Sequence, residues 1–181
     1  MRHRAGALYP TRQSACYQGT MRVQVALLVL ATAGLGCDSK DGEKPAADGT
    51  LLTPYLQIQS TLAEDKLDNL SELGAAVVSA AEGKQDQPGV DKIVQGAGRI
   101  AAQDIATARS AFKTMSEGMI EYVKADPGKQ QGNMLVHCTM TFAGKGAAWV
   151  QKEGKVMNPY EGAMMLHCGD KLQWSDEVPA S

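Results

Sequence analysis

The chain has 181 residues, with 18 basic and 20 acidic side chains, three histidines, four cysteines and nine methionines. Arg2, Arg4, Arg12 and Arg22 precede Cys37 and no acidic residue does, so the 145 residues from Cys37 onward keep 14 basic and 20 acidic groups, a formal charge of −6. That balance argues against nucleic-acid binding, which needs a basic face, and suits an envelope protein that handles cations.

The N-terminus reads as an export signal. Met21-Arg22 is followed by a largely apolar run, Val23 to Leu35, and then by Gly36-Cys37. A basic start, a short apolar stretch and small residues before the cut describe a secretory signal. The run falls short of the roughly 20 apolar residues that a transmembrane helix needs. Cys37 after Gly36 resembles a bacterial lipobox, although Gly34 stands where a larger aliphatic residue is usual. The reading is a lipoprotein precursor anchored to the membrane through Cys37 on the periplasmic side. The alternative is a plain signal peptide that releases the protein to the periplasm. Residues 1–20 lack both an acid and an apolar run, so Met21 is taken as the true start.

These features divide the chain into an upstream and signal segment (1–36), a lipidated cysteine with a flexible tether (37–50), one domain (51–174) and a tail (175–181). The tether is rich in Lys, Asp, Gly and Ala and cannot bury a core. The domain is long enough for one modest core.

The first half of the domain is helical by pattern. Thr53-Pro54 suits a helix start running to about Ala63. Asp65 offers a second cap before Leu67, Leu70, Leu73, Gly74, Val77, Val78 and Ala81, which share one helical face. Gln87-Pro88-Gly89 marks a turn. Val90, Ile93, Val94, Ala97 and Ile100 form the next stripe. Asp104 is the expected cap of a last helix with the stripe Ile105, Ala108, Phe112, Met115, Met119 and Val123, ended by Asp126-Pro127-Gly128. Short connections between amphipathic helices imply an antiparallel bundle. Met115 and Met119 read as core, and Glu117 and Glu121 as a solvated face.

Composition changes after Gly128. Met134-Leu135-Val136 reads as a short strand or extended segment, Ala143–Gly146 and Asn158-Pro159-Tyr160 as turns. Trp149 and Tyr160 are read as anchors that hold this segment to the helices. The expected fold class is mainly α: an antiparallel helical bundle followed by a small irregular glycine-rich C-terminal lobe.

The chemistry concentrates in that lobe. His137-Cys138-Thr139-Met140 and Met164-Met165-Leu166-His167-Cys168 each join thiol, imidazole and thioether. Such donors suit Cu(I), Ag(I) or Zn(II). In an extended strand Cys138 and Met140 share a face and His137 takes the other. Cys138, Met140 and Cys168 are therefore the main candidate ligands, completed by His137, Met165 and His167. Zn(II) would take a four-coordinate Cys and His set. The competing reading is a disulfide between Cys138 and Cys168, as exported cysteines commonly form. Closing that 30-residue spacing is worth roughly 3–4 kcal/mol.

Four ordered motifs resemble a known family: His137-Cys138-x-Met140, Gly144-Lys145-Gly146-Ala147-x-Trp149-x-Gln151, Asn158-Pro159-Tyr160-x-Gly162 and Met165-Leu166-x-Cys168-Gly169. With Tyr55-Leu56 and the stretch from Asp104 to Ile120, they make nearly all of Leu51–Gly169 resemble a bacterial envelope domain of unknown function. That domain occurs alone or joined to the membrane-fusion subunits of copper and silver efflux pumps. Thr139 stands where the family usually has proline, and Glu161 where it has an aromatic; His167 is not a family hallmark. The resemblance implies a role in metal efflux, with such a membrane-fusion subunit as partner.

Enzymatic activity is the weaker reading. Adjacent His137 and Cys138 seldom face one another, and neither a Cys-x-x-Cys nor a Ser-His-Asp signature is present. The expected function is binding or passing Cu(I) or Ag(I); the alternative is a disulfide-stapled structural or interaction module, such as a pump adaptor. The anchoring expectation is tested directly. Labelled fatty acid should enter the wild type and not Cys37→Ala, and equal labelling of both would remove the lipid anchor.

Overall fold

The apolar stripes of the first half become four helices that pack in chain order. The computed structural model describes residues 50–179 and contains α1 (Leu52–Ala63), α2 (Leu70–Ala80), α3 (Val90–Ala97) and α4 (Ile105–Lys124). The signal segment, Cys37 and the tether through Gly49 lie outside the described residues, as do Ala180 and Ser181. Among the described residues no helix is long and apolar enough to cross a membrane.

Capping follows the sequence at α4 and departs from it at α1 and α2. Asp104 accepts the Thr107 N–H at 2.8 Å, satisfying an amide that the first helical turn leaves unpaired. Leu51 occupies the cap position of α1, with Pro54 in the first turn, where a missing N–H is harmless. Asn69, in left-handed backbone at φ 58°, precedes α2. Asp65 is thereby free for a different task. Asp126 caps α5 (Pro127–Gln130), a single turn, by accepting the Gly128 N–H at 2.9 Å.

Two glycines set the approach of α3 and α4. A Cβ on Gly96 would lie 2.6 Å from the Ala111 carbonyl oxygen and 2.7 Å from the Met115 Cβ. A Cβ on Gly118 would overlap the Gly89 carbonyl. Met115 and Met119 are fully buried, as their spacing predicts. Glu117 and Glu121 stay at the surface, paired with Lys113 at 2.6 Å and Lys92 at 2.7 Å.

The second half corrects the expected fold class. The chain is not a mainly α bundle with an irregular lobe; it is mixed α/β. β1 (Asn133–Cys138), β2 (Ala147–Lys152) and β3 (Asp170–Leu172) form an antiparallel sheet in the order β2-β1-β3. The physical reason is burial. Every residue of β1 is buried, as is β2 up to Lys152, so neither strand shows the alternation of a half-exposed strand. β3 has only three residues. The β1–β2 connection contains α6 (Thr141–Gly144), a tight turn in which Phe142 (φ 51°, ψ 48°) and Ala143 (φ 58°, ψ 42°) adopt left-handed backbone.

Side-chain hydroxyls occupy the outer edge of β2. Tyr55 of α1 accepts the Val150 N–H at 3.1 Å and shares a 2.9 Å hydrogen bond with Ser116 of α4. The Tyr160 hydroxyl donates to the Ala148 carbonyl at 2.9 Å. Burial pushes the acidity of both hydroxyls down, raising their pKa above the ordinary tyrosine range, so both remain neutral. These two bonds occupy edge groups that would otherwise be open to pairing with another chain. The same residues form an aromatic chain. Tyr55 stacks on Phe112 at 5.1 Å, Phe112 meets Tyr160 at 5.8 Å, and Tyr160 meets Trp149 edge-on at 5.7 Å. Trp149 and Tyr160 thus hold the second half to the helices.

Phe112 is the central link. Phe112→Ala should cost about 3–5 kcal/mol, as for a fully buried aromatic, read as a lower urea midpoint. A loss below about 1 kcal/mol would mean that helices and sheet do not share one core.

Candidate functional site

Alternation along β1 separates the candidate ligands. Met134, Val136 and Cys138 point to one face of the sheet, and Leu135 and His137 to the other. Cys138 ends the strand opposite Ala147 and is 1% exposed. It is disulfide-bonded to Cys168, with a Cα–Cα separation of 5.9 Å. Cys168 is half-buried and sits just before β3.

The segment that delivers Cys168 has little regular structure, so side chains supply its hydrogen bonds. Asn158 is fully buried. Its Nδ2 donates to the Cys168 carbonyl at 3.0 Å, while its Oδ1 accepts the N–H groups of Tyr160 at 2.8 Å and Glu161 at 3.2 Å. Its own N–H donates to the Leu166 carbonyl at 2.7 Å. Gln151 does the same for the preceding stretch of chain. Its Oε1 accepts from Trp149 Nε1 and from the Met157 N–H, each at 3.0 Å, and its Nε2 donates to the Lys155 carbonyl at 2.9 Å. Gln59 of α1 donates to the Met157 carbonyl at 2.6 Å.

A charged clamp ties the segment to the helices. Asp65 accepts the Ala163 N–H at 2.8 Å and pairs with Arg109 at 2.6 Å; Arg109 Nε donates to the Pro159 carbonyl at 2.9 Å. The Ala163 N–H, aided by Arg109 and opposed by partial desolvation, holds the Asp65 carboxyl below its ordinary pKa. Sequence reasoning takes Asp65 for a helix cap and Asn158 for turn chemistry, and does not single out Arg109. Only the Trp149-x-Gln151 and Asn158-Pro159-Tyr160 spacings point toward this network.

The remaining candidate ligands are dispersed. His137 is 7% exposed, and its Nε2 has no hydrogen-bond partner among the described residues. Gly146 lies against the ring: a Cβ there would be 2.9 Å from Nε2, on a backbone at φ +79° that already favours glycine. His137 is opposite Ala148 and Asp170 in the two ladders. Met140, just beyond the strand end, is 58% exposed. Met165 is half-buried and its neighbour Met164 is 84% exposed. His167 is exposed, with Nδ1 2.7 Å from the Val156 carbonyl, which leaves Nε2 as its open ring nitrogen. Among the described residues no three His, Cys, Asp or Glu side chains converge as a metal-binding group. The structure therefore joins Cys138 and Cys168 directly, sets His137 on the opposite sheet face and leaves Met140 and His167 outward.

The joined sulfurs set the chemistry of the site. A disulfide has no thiolate to offer a metal. Reduction would leave two thiols on backbone positions 5.9 Å apart. Compared with known protein families, characterised proteins and solved structures, the chain matches none of them.

The Asp65 clamp has a pH signature. A folded-state pKa below the unfolded value gives stability that is present above the unfolded pKa, about 3.9, and lost as pH falls through the folded one. The Asp65 side chain is 44% exposed, so the effect is small. Asn tolerates the left-handed backbone of position 65. Asp65→Asn should lower the urea midpoint at pH 7, and the gap from wild type should narrow at pH about 3. A gap that is constant with pH would show that the carboxylate charge does not contribute.

Proposed function

We propose that this chain is an envelope lipoprotein that binds or passes a soft monovalent ion, Cu(I) or Ag(I), through the reduced Cys138–Cys168 pair. The observation that carries the reading is the 5.9 Å Cα–Cα approach of two cysteines from distant stretches of the chain. Two thiolates are a sufficient nucleus for a soft cation, and thioether or imidazole donors complete such sites. Met140 and Met165 are the nearby thioethers in sequence, and the unpartnered Nε2 of His137 is the nearest imidazole donor in sequence to Cys138. Zn(II) is a secondary candidate, because His137 and His167 would have to join both cysteines from different sides. The reading includes lipid attachment at Cys37, a place in the bacterial envelope and association with a membrane-fusion subunit of a metal efflux pump. The resemblance of the four motifs to that family supports these three elements. The chain acts as a binding protein and not as an enzyme.

A second reading rests on the disulfide itself. Cys138 is buried in the core cluster, and the bond fastens the least regular segment to the sheet. In that reading the protein is a stapled structural or interaction module, for instance a pump adaptor, and metal has no role.

Cu(I) titration separates the two. Reduced mature protein, from Cys37 onward, should bind Cu(I) far more tightly than Mg(II) or Ca(II), and less tightly as pH falls, because thiolates must shed their protons. Cys138→Ser should lose at least roughly tenfold in affinity, whereas Met119→Leu, a change within the helical core, should lose little. Both variants are compared after circular dichroism shows them folded. Equal affinity of wild type and Cys138→Ser would leave the staple as the function of the pair.

A further inference from the structure

We infer that Cys168 is the thiol-exchange site of this protein: the sulfur at which an external dithiol reductant opens the disulfide, with Cys138 as the leaving sulfur. The inference takes the reduced pair as the working form and to that extent rests on the proposed function.

Exchange requires a thiolate to approach one sulfur in line with the bond to the other, so access decides which sulfur is attacked. The two cysteines differ in this respect. Cys138 is the last residue of a strand buried at all six positions. Its neighbours along that face are Val136 and, across the ladder, Ala147 and Trp149, all buried. An attacker at Cys138 would have to enter the sheet from its core side. Cys168 lies at the surface end of the bond. It is half-buried, preceded by exposed His167 and half-buried Leu166 and Met165, and followed by half-buried Gly169. Its carbonyl and N–H are held by Asn158 and Met165, so the backbone presents the sulfur from a fixed position.

The step balances without any group from the protein beyond the two sulfurs. An external thiolate attacks Cys168 Sγ and the S–S bond breaks. A new disulfide joins the reductant to Cys168, and the electron pair of the broken bond leaves on Cys138. That thiolate takes a proton from water. The second thiol of the reductant, as thiolate, then attacks its own sulfur of the mixed disulfide. It releases Cys168 as a thiolate and leaves the reductant oxidised. The reductant is thus a dithiol that reaches the bond from the side of Cys168. A soft cation present at this moment captures both freed sulfurs before they can rejoin.

Glutathione serves as the probe. Oxidised mature protein is exposed briefly to reduced glutathione, quenched with acid, alkylated and mapped by peptide mass spectrometry, which also separates Cys37 from the pair. Glutathione should be found on Cys168 and the alkyl group on Cys138, in excess over the reverse pattern by roughly tenfold or more. Equal distribution, preference for Cys138 or the absence of any adduct on the pair would overturn the inference. Iodoacetamide rates on reduced single variants give a second reading. Cys168 in Cys138→Ser should react faster than Cys138 in Cys168→Ser, and equal rates in folded variants would count against it. Exchange at Cys168 together with absent Cu(I) binding would retain this site and remove the metal cargo. The opposite pair of results would do the reverse.

Discussion

A strand buried on both faces has to be covered twice, and most of this molecule is arranged to do so for β1. On one side α4 packs against β2, which carries Ala148 next to His137 in the ladder. On the other, Gly169 and Val156 close over Val136 and Trp149. The first cover is a helix and satisfies its own backbone. The second is a stretch of chain with only one short 3-10 turn, Gly162–Met164, and each of its buried amides and carbonyls needs a partner from elsewhere. Asn158, Gln151, Gln59 and the Asp65–Arg109 pair are those partners. The buried ones among them, Asn158, Gln151 and Gln59, would be expensive to bury alone, and each is paired.

That division explains what the sequence discloses. The helical half is legible because its faces differ: the stripe from Ala108 to Val123 is buried, while Lys113, Glu117 and Glu121 pair at the surface. β1 and β2 have no polar face to contrast with a buried one, so period-two alternation vanishes and Ala147–Lys152 is easily missed. Asp65 misleads for a related reason. Its position before an apolar stripe has the form of a helix cap, but its partners, Ala163 and Arg109, are distant in sequence. Local pattern carries no information about such pairings. The roles of Trp149 and Tyr160 are legible because large aromatic groups in a glycine-rich stretch have few places to go except the core.

The disulfide belongs to the same requirement. It joins the end of the doubly covered strand to the end of the cover with little regular structure. Across a spacing of 30 residues, its constraint on the unfolded chain is worth roughly 3–4 kcal/mol, comparable with losing a large buried side chain. Opening it need not unfold the domain, since Asn158, Gln151 and the aromatic chain still fasten the segment. A bond whose loss leaves the fold anchored by other means suits a site that alternates between staple and ligand pair.

Under the proposed function the redox state decides which donors a cation meets. With the disulfide closed, the soft groups facing water are thioethers and an imidazole: Met140, Met164 and His167. With it open, two thiols replace the bond. Thiolates bind soft ions through charge as well as polarisability, so under the proposed function the open form is the one that would hold the ion. His137 stands apart from this exchange. Its buried Nε2 lies across the sheet from Cys138, against a glycine whose left-handed backbone leaves room for the ring and little else. Turning that nitrogen toward the sulfurs requires the end of β1 to twist. The adjoining turn already holds Phe142 and Ala143 in left-handed backbone, at a cost of about 1–2 kcal/mol each.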